Sequence, residues 1–169
     1  MGEAWLDTFM KAMPDVLVSH SMMLVESYRT ITGRDLLDHL QATAHNAVQV
    51  AMALYGAPFV VVSHGTQSDP VLNYGNRLAL ELWEMEWQEF TQTPSRFTAE
   101  QPQREERARL LEAVRAKGFI DDYAGVRISK SGRRFRIERA TVWNVIDAAG
   151  ERVGQAATFA HWKWIDSLE

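Results

Sequence analysis

The sequence predicts an α+β fold: a single antiparallel sheet carrying helices on a face, preceded by a helical extension. Three observations carry this reading. The first 56 residues follow a helical period, two short β-branched runs follow Ala57-Pro58, and the last third reads as consecutive strands joined by short turns. A chain of 169 residues suits one domain with an extension better than two full domains. The division is expected between residues 1–56 and 57–166.

In the extension, Trp5, Leu6, Phe9 and Met10 suit a short amphipathic helix that Met13-Pro14 interrupts. Proline is tolerated in the first turn of a helix, so Pro14 starts the next one. Leu17, Leu24, Tyr28 and Ile31 recur on its apolar face until Thr32-Gly33. Leu36, Leu40, Ala44, Ala47, Ala51 and Leu54 predict a third helix, capped by Gly56. Phe59–Val62 and Val71–Tyr74 then read as short strands around a Ser63–Pro70 loop. Asn76 stands where an N-cap belongs, ahead of Leu78, Leu82 and Met85. Residues 103–117 form a charged helix with Leu110, Leu111 and Val114 on its apolar side, stopped by Gly118. Three strands follow, Phe119–Ser129, Arg133–Ile146 and Glu151–Trp164, with turns at Lys130–Gly132 and Asp147–Gly150.

Composition narrows the function classes. The net charge of −4 gives no electrostatic footprint for direct nucleic-acid binding. The absence of cysteine removes disulfides, thiolate metal sites and thiol catalysis together. The acidic start Met1–Asp7 lacks the basic and apolar regions of a secretory signal. No run approaches the ~18 apolar residues of a membrane span. The expectation is a cytoplasmic protein.

Motifs for chemistry are sparse. His39 and His45 would lie about 120° apart on a helix, which is not a metal-ligand pair. His20, His64 and His161 are scattered. Ser63, His64 and Asp69 invite a hydrolase reading, but adjacent Ser and His cannot easily face each other, and capping of a loop is the expected role. A small isomerase or hydratase would need a His–Asp or Tyr–Asp pair inside a pocket, for which only His161 and Asp121 offer themselves. An enzyme is therefore the less favoured reading.

The strands at the C-terminal end are more informative. Alternation places Phe135, Ile137, Arg139, Thr141, Trp143 and Val145 on one face. A three-residue turn at Lys130–Gly132 adds Arg127 and Tyr123 to that face. Gly154, Ala156, Thr158 and Ala160 make a row of small residues, which usually means that another body comes close. A pocket floored by small residues and edged by arginines suits an anionic or planar small molecule. Helices could equally fill the space, with each arginine paired to Glu81, Glu100 or Asp121.

Several segments occur in an order that resembles a known family. They are Asp69–Asn76, Pro94–Glu100, Tyr123–Ile128, Ser131–Phe135, Val142–Asn144 and Gly154–Phe159. Together they resemble the MEKHLA domain, a PAS-like module found alone in bacteria and at the C-terminus of plant class III homeodomain–leucine zipper transcription factors. The likeness covers about Ala57 to Trp164, and the helical lead-in is similar to that of the stand-alone bacterial type. The resemblance implies a five-stranded sheet in order 2-1-5-4-3, helices enclosing a pocket, a sensor or signalling role, and a possible homodimer. It also implies an alternative without a ligand, a dimerisation or interaction module. Pro94–Phe97 further resembles the flavin-binding light-sensing branch of PAS domains, with Ser95 where that branch carries its photoreactive cysteine and Arg96 where it contacts the flavin phosphate. With no cysteine, no cysteinyl–flavin adduct can form. Ala99 and Arg127 also depart from that branch, so flavin is not the expected cofactor. The candidate ligand set is Ser95, Arg96, Tyr123, Arg127, Arg139, Thr141, Trp143, Gly154, Ala156 and Thr158. No catalytic or metal-ligating residue is nominated.

Overall fold

The computed structural model describes residues 14–38, 46–102 and 104–165. The helix expected around Trp5–Met10, Leu40 and Ala44 of the third helix, His39, His45 and position 166 lie outside them. The described chain runs α1 (Asp15–Thr32), α2 (Ala47–Tyr55), β1 (Val60–His64), β2 (Leu72–Gly75), α3 (Arg77–Trp83) and α4 (Trp87–Phe90). A 3-10 turn (Ser95–Thr98), α5 (Arg104–Lys117), β3 (Phe119–Ile128), β4 (Arg134–Ile146), β5 (Arg152–Phe159) and β6 (His161–Ile165) complete it.

The helix ends follow side-chain chemistry. Pro14 precedes α1, and Gly33 closes it in the left-handed region at φ 73°, its N–H donating to the Arg29 carbonyl. The stripe from Leu36 to Leu54 is not one continuous helix. Asn46 caps α2 by accepting from the Gln49 N–H, while Leu36 and Leu37 are buried in a turn ahead of it. Asn76 caps α3 as its position suggests, and Met85 lies beyond that helix. In α5, Leu110 and Ala113 pack on the core, whereas Leu111 is 57% exposed.

All strand pairs are antiparallel, and the order is β2-β1-β5-β4-β3. The expected strand 151–164 is divided at Ala160 into β5 and β6, which lie end to end along β4. The three-residue turn sets Arg127 opposite Phe135, as its length implies. Beyond that point the ladder shifts. Asp122 and Arg139 both take left-handed backbone conformations, at φ 58° and 54°, and Tyr123 pairs with Ala140.

This shift overturns the expected face of β4. Phe135 and Ile137 point to the inner face, but past Arg139 it is Ala140 and Val142 that continue there. Trp143 and Val145 turn to the outer face instead. Arg139 itself is exposed. A guanidinium in the core would cost several kcal/mol, and the kink replaces it with an alanine methyl.

Each face of the sheet is covered. The inner face packs against α3, α4 and α5 around Trp83, Phe90 and Phe135. On the outer face, Leu24, Val25 and Tyr28 of α1 and Leu54 of α2 pack on Val61, Trp143, Val145 and Ala156. Residues on both sides of Ala57 thus share a core. The small residues of β5 have two uses there. Ala156 admits the α1 layer, and Gly154 is required because a Cβ would collide with the His64 carbonyl oxygen.

Candidate functional site

Between the inner face and its helices the core leaves a cavity of ≈ 140 Å³. Its walls are mostly apolar, with Trp83, Phe90 and Leu110 from the helices and Ile137, Val142 and Phe159 from the sheet. Its polar groups come from two places. His64 and Gln155 stand opposite each other across β1 and β5. Arg127, Ser95 and Thr98 meet where β3 bridges Ala99 beside the 3-10 turn. The Thr98 hydroxyl is already committed, donating to the Ser95 carbonyl at 2.7 Å.

Of the ten nominated residues, Ser95, Tyr123, Arg127 and Ala156 line this cavity. Ala156 contributes from the sheet plane, since alternation sends its methyl to the outer face with Trp143. The remaining six lie elsewhere. Arg96 is exposed, its Nε bonded to the Asp69 carboxylate and its guanidinium stacked 4.1 Å from the Phe97 ring centroid. Arg139 and Thr158 border an open outer cleft with Tyr28 and His161, and Thr158 Oγ1 donates to the Val60 carbonyl. Thr141 donates to Asp121 at 2.8 Å. Trp143 is fully buried against Tyr28 on the outer face, and its Nε1 makes no hydrogen bond. Gly154 serves the β1–β5 approach. The bulge at Arg139 reverses the alternation for Thr141 and Trp143 and for the β5 residues paired with them.

His64, Gln155 and Trp83 were not legible as cavity residues. Only the β1–β5 register brings the first two together, and Trp83 arrives through the geometry of α3. Arg127 was legible, from the turn length alone. It is half-buried, and Gly125 leaves the space into which its guanidinium folds, since a Cβ there would lie 2.9 Å from Nη1. Nη1 donates to the Val126 carbonyl at 3.2 Å. Glu81, Glu100 and Asp121 are engaged by Arg77, Arg134 and Arg34. Burial lowers the pKa of Arg127 from its ordinary value, against the opposing effect of Tyr123.

Ser63, His64 and Asp69 do not form a triad, and Asp69 is held by Arg96. His64 Nδ1 lies 2.8 Å from the Gly65 carbonyl, and Ser63 is approached instead by His20 of α1, with Nε2 at 3.0 Å. Ser63 gives its proton to Asn73 Oδ1 at 2.5 Å, so His20 must be the donor in that contact and cannot activate the hydroxyl. Asp121 is held by Arg34 and Thr141, while His161 is exposed on β6. Among the described residues no group of three His, Cys, Asp or Glu could hold a metal ion, and no helix is long and apolar enough to cross a membrane.

The His20 contact ties α1 to β1 and titrates. Burial lowers the pKa of His20 below its ordinary 6.5, and burial shifts His64 the same way. A folded state that disfavours the charged ring keeps its full stability above pH 6.5 and loses it as pH falls toward the lowered value. His20→Gln keeps an amide donor to Ser63 without the titration. It should flatten the fall in Tm between about pH 7 and about pH 5. Equal slopes in the two proteins would refute this role.

A helix-covered antiparallel sheet in this strand order, with a cavity on its inner face, is a PAS-like fold. The MEKHLA domain model matches residues 18–164, and the chain belongs to the MEKHLA family. That match begins inside α1, ahead of Ala57. Homeobox-leucine zipper protein ATHB-14 of Arabidopsis thaliana is 24% identical over 139 residues; the alignment covers 82% of this chain and 16% of that protein. The chain therefore spans about a sixth of the length of the curated relative it matches.

Among solved structures, the PAS domain of a Colwellia psychrerythraea protein superposes with a TM-score of 0.56 at 16% identity, covering 69% of this chain and 94% of that one. A light-oxygen-voltage domain studied with a flavin analogue gives 0.51 at 16% identity, covering 70% and 85%. These likenesses concern the fold. Without a cysteine the chain cannot form a cysteinyl–flavin adduct.

Proposed function

We propose that the chain is a regulatory sensory module that holds a small molecule in the inner cavity and passes its occupancy to α1. The observation that carries this reading is the cavity itself, left inside a core whose neighbouring aromatic side chains are fully buried. Strand β1 supplies a route outward. Val62 and His64 line the cavity, and Ser63 between them holds His20 of α1. A shift of β1 on ligand entry therefore changes the α1 contact directly.

Ala157 lies on the cavity side of β5, paired with Val62 and Val142. Ala157→Leu should fill the space and abolish the Tm increase that small ligands give, with no loss of stability in their absence. A ligand panel that shifts neither protein, or both equally, would sink the proposal.

A second reading is a dimerisation module acting without a ligand. Val16, 81% exposed on α1, and Val48, 45% exposed on α2, favour it. Light scattering on the full chain decides: a monomer at high concentration argues against this reading.

A further inference from the structure

Arg127 is the arginine of the cavity wall. Arg34, Arg96, Arg109 and Arg134 each meet a carboxylate, and Arg133 stacks on Trp164. Arg127 is in none of the ion pairs among the described residues; its neighbours there are the Val126 carbonyl and Tyr123. Burying a cation without a counter-charge costs several kcal/mol, and a hydrophobic residue of similar size would avoid that cost. The guanidinium also has a prepared place, because Gly125 clears the volume it folds into.

We propose that Arg127 is the anchor for a small carboxylate whose apolar body fills the cavity beside Trp83, Phe90 and Phe159. The inference rests on the cavity being a ligand site, and it specifies the class of ligand. A planar guanidinium and a carboxylate match two hydrogen bonds to two oxygens. A dianionic phosphate group would need further donors, and the cavity walls carry neither a lysine nor a second arginine. The volume limits the body: a dry cavity of roughly 150 Å³ holds one benzene ring. The ligand is thus a monoanion with a single ring or a short branched chain, and Tyr123 flanks its charged end.

Benzoate and its neutral isostere benzamide are the probes, tested by calorimetry and thermal shift on the full chain. Wild type should bind benzoate at least tenfold more tightly than benzamide. Arg127→Met should fold with a Tm at or above that of wild type, lose benzoate binding tenfold or more, and keep benzamide. Folded Arg127→Lys, which retains the charge, should still prefer benzoate. Equal affinity of wild type for the two probes, or a benzoate affinity unchanged in Arg127→Met, overturns the carboxylate anchor and leaves the cavity reading standing. An Arg127→Lys chain indifferent to charge overturns it as well. Binding of neither probe by wild type overturns the anchor and the cavity reading together.

Discussion

Replacing Asn76 with alanine is expected to cost about 3–5 kcal/mol of folding stability, read as a lower urea midpoint at unchanged slope. The side chain is fully buried and serves four backbone groups. Its Oδ1 accepts from the N–H groups of Val61 and Ala79, and its Nδ2 donates to the carbonyls of Phe59 and Leu54. Only Leu54 has a substitute, a longer bond from the Ala57 N–H. Alanine therefore leaves two amides and a carbonyl without partners where water has little access, and removes the cap of α3 as well. Asn76→Asp separates the two halves of this account. It keeps the acceptor but sets a carboxylate oxygen against two carbonyls, so its stability should recover as pH falls and the carboxyl protonates. A loss below about 1 kcal/mol for Asn76→Ala would show that the cap alone matters.

Replacing Trp83 with alanine should cost a similar amount, about 3–5 kcal/mol. Its ring meets Phe90, Phe135 and Phe159 edge-on, with centroids between 5.2 and 6.2 Å apart. Nε1 donates to the Thr98 carbonyl at 3.1 Å, joining α3 to the 3-10 turn that borders the cavity. Truncation enlarges a cavity that already exists, so little collapse can compensate. Trp83→Phe isolates the hydrogen bond, and a smaller loss of about 1–2 kcal/mol is expected. Denaturation followed by circular dichroism measures both variants. The alanine variant should also admit larger apolar ligands than wild type, which calorimetry with the benzoate series would detect.

These two positions differ in how readily the sequence discloses them. Asn76 ahead of Leu78 and Leu82 identifies a helix cap, because an N-cap is a local relation between a side chain and the amides two or three residues on. Its bonds to Phe59 and Leu54 span up to 22 residues, and nothing local announces them. The same boundary runs through the candidate site. Arg127 could be placed opposite Phe135 because a turn of known length sets the register of its hairpin. Arg139, Thr141 and Trp143 could not be placed, because alternation assumes an unbroken pleat and the left-handed residue at Arg139 breaks it. An arginine among apolar alternate positions was the visible sign. It was consistent with a buried functional charge or with a kink that expels it, and the chain uses the kink.

The sequence by itself determined the antiparallel α+β class, the caps at Gly33, Gly56, Asn76 and Gly118, the turn register at Arg127 and, through its ordered motifs, the family and strand order. Each depends on residues close in the chain or on a pattern repeated along it. Tertiary structure alone decided that α1 covers the outer face, that Ala156 of β5 admits that layer, and that Arg127 is in none of the ion pairs among the described residues. Those outcomes depend on competition between distant groups. Glu100 and Asp121 were open to any arginine in the sequence, and packing gave them to Arg134 and Arg34.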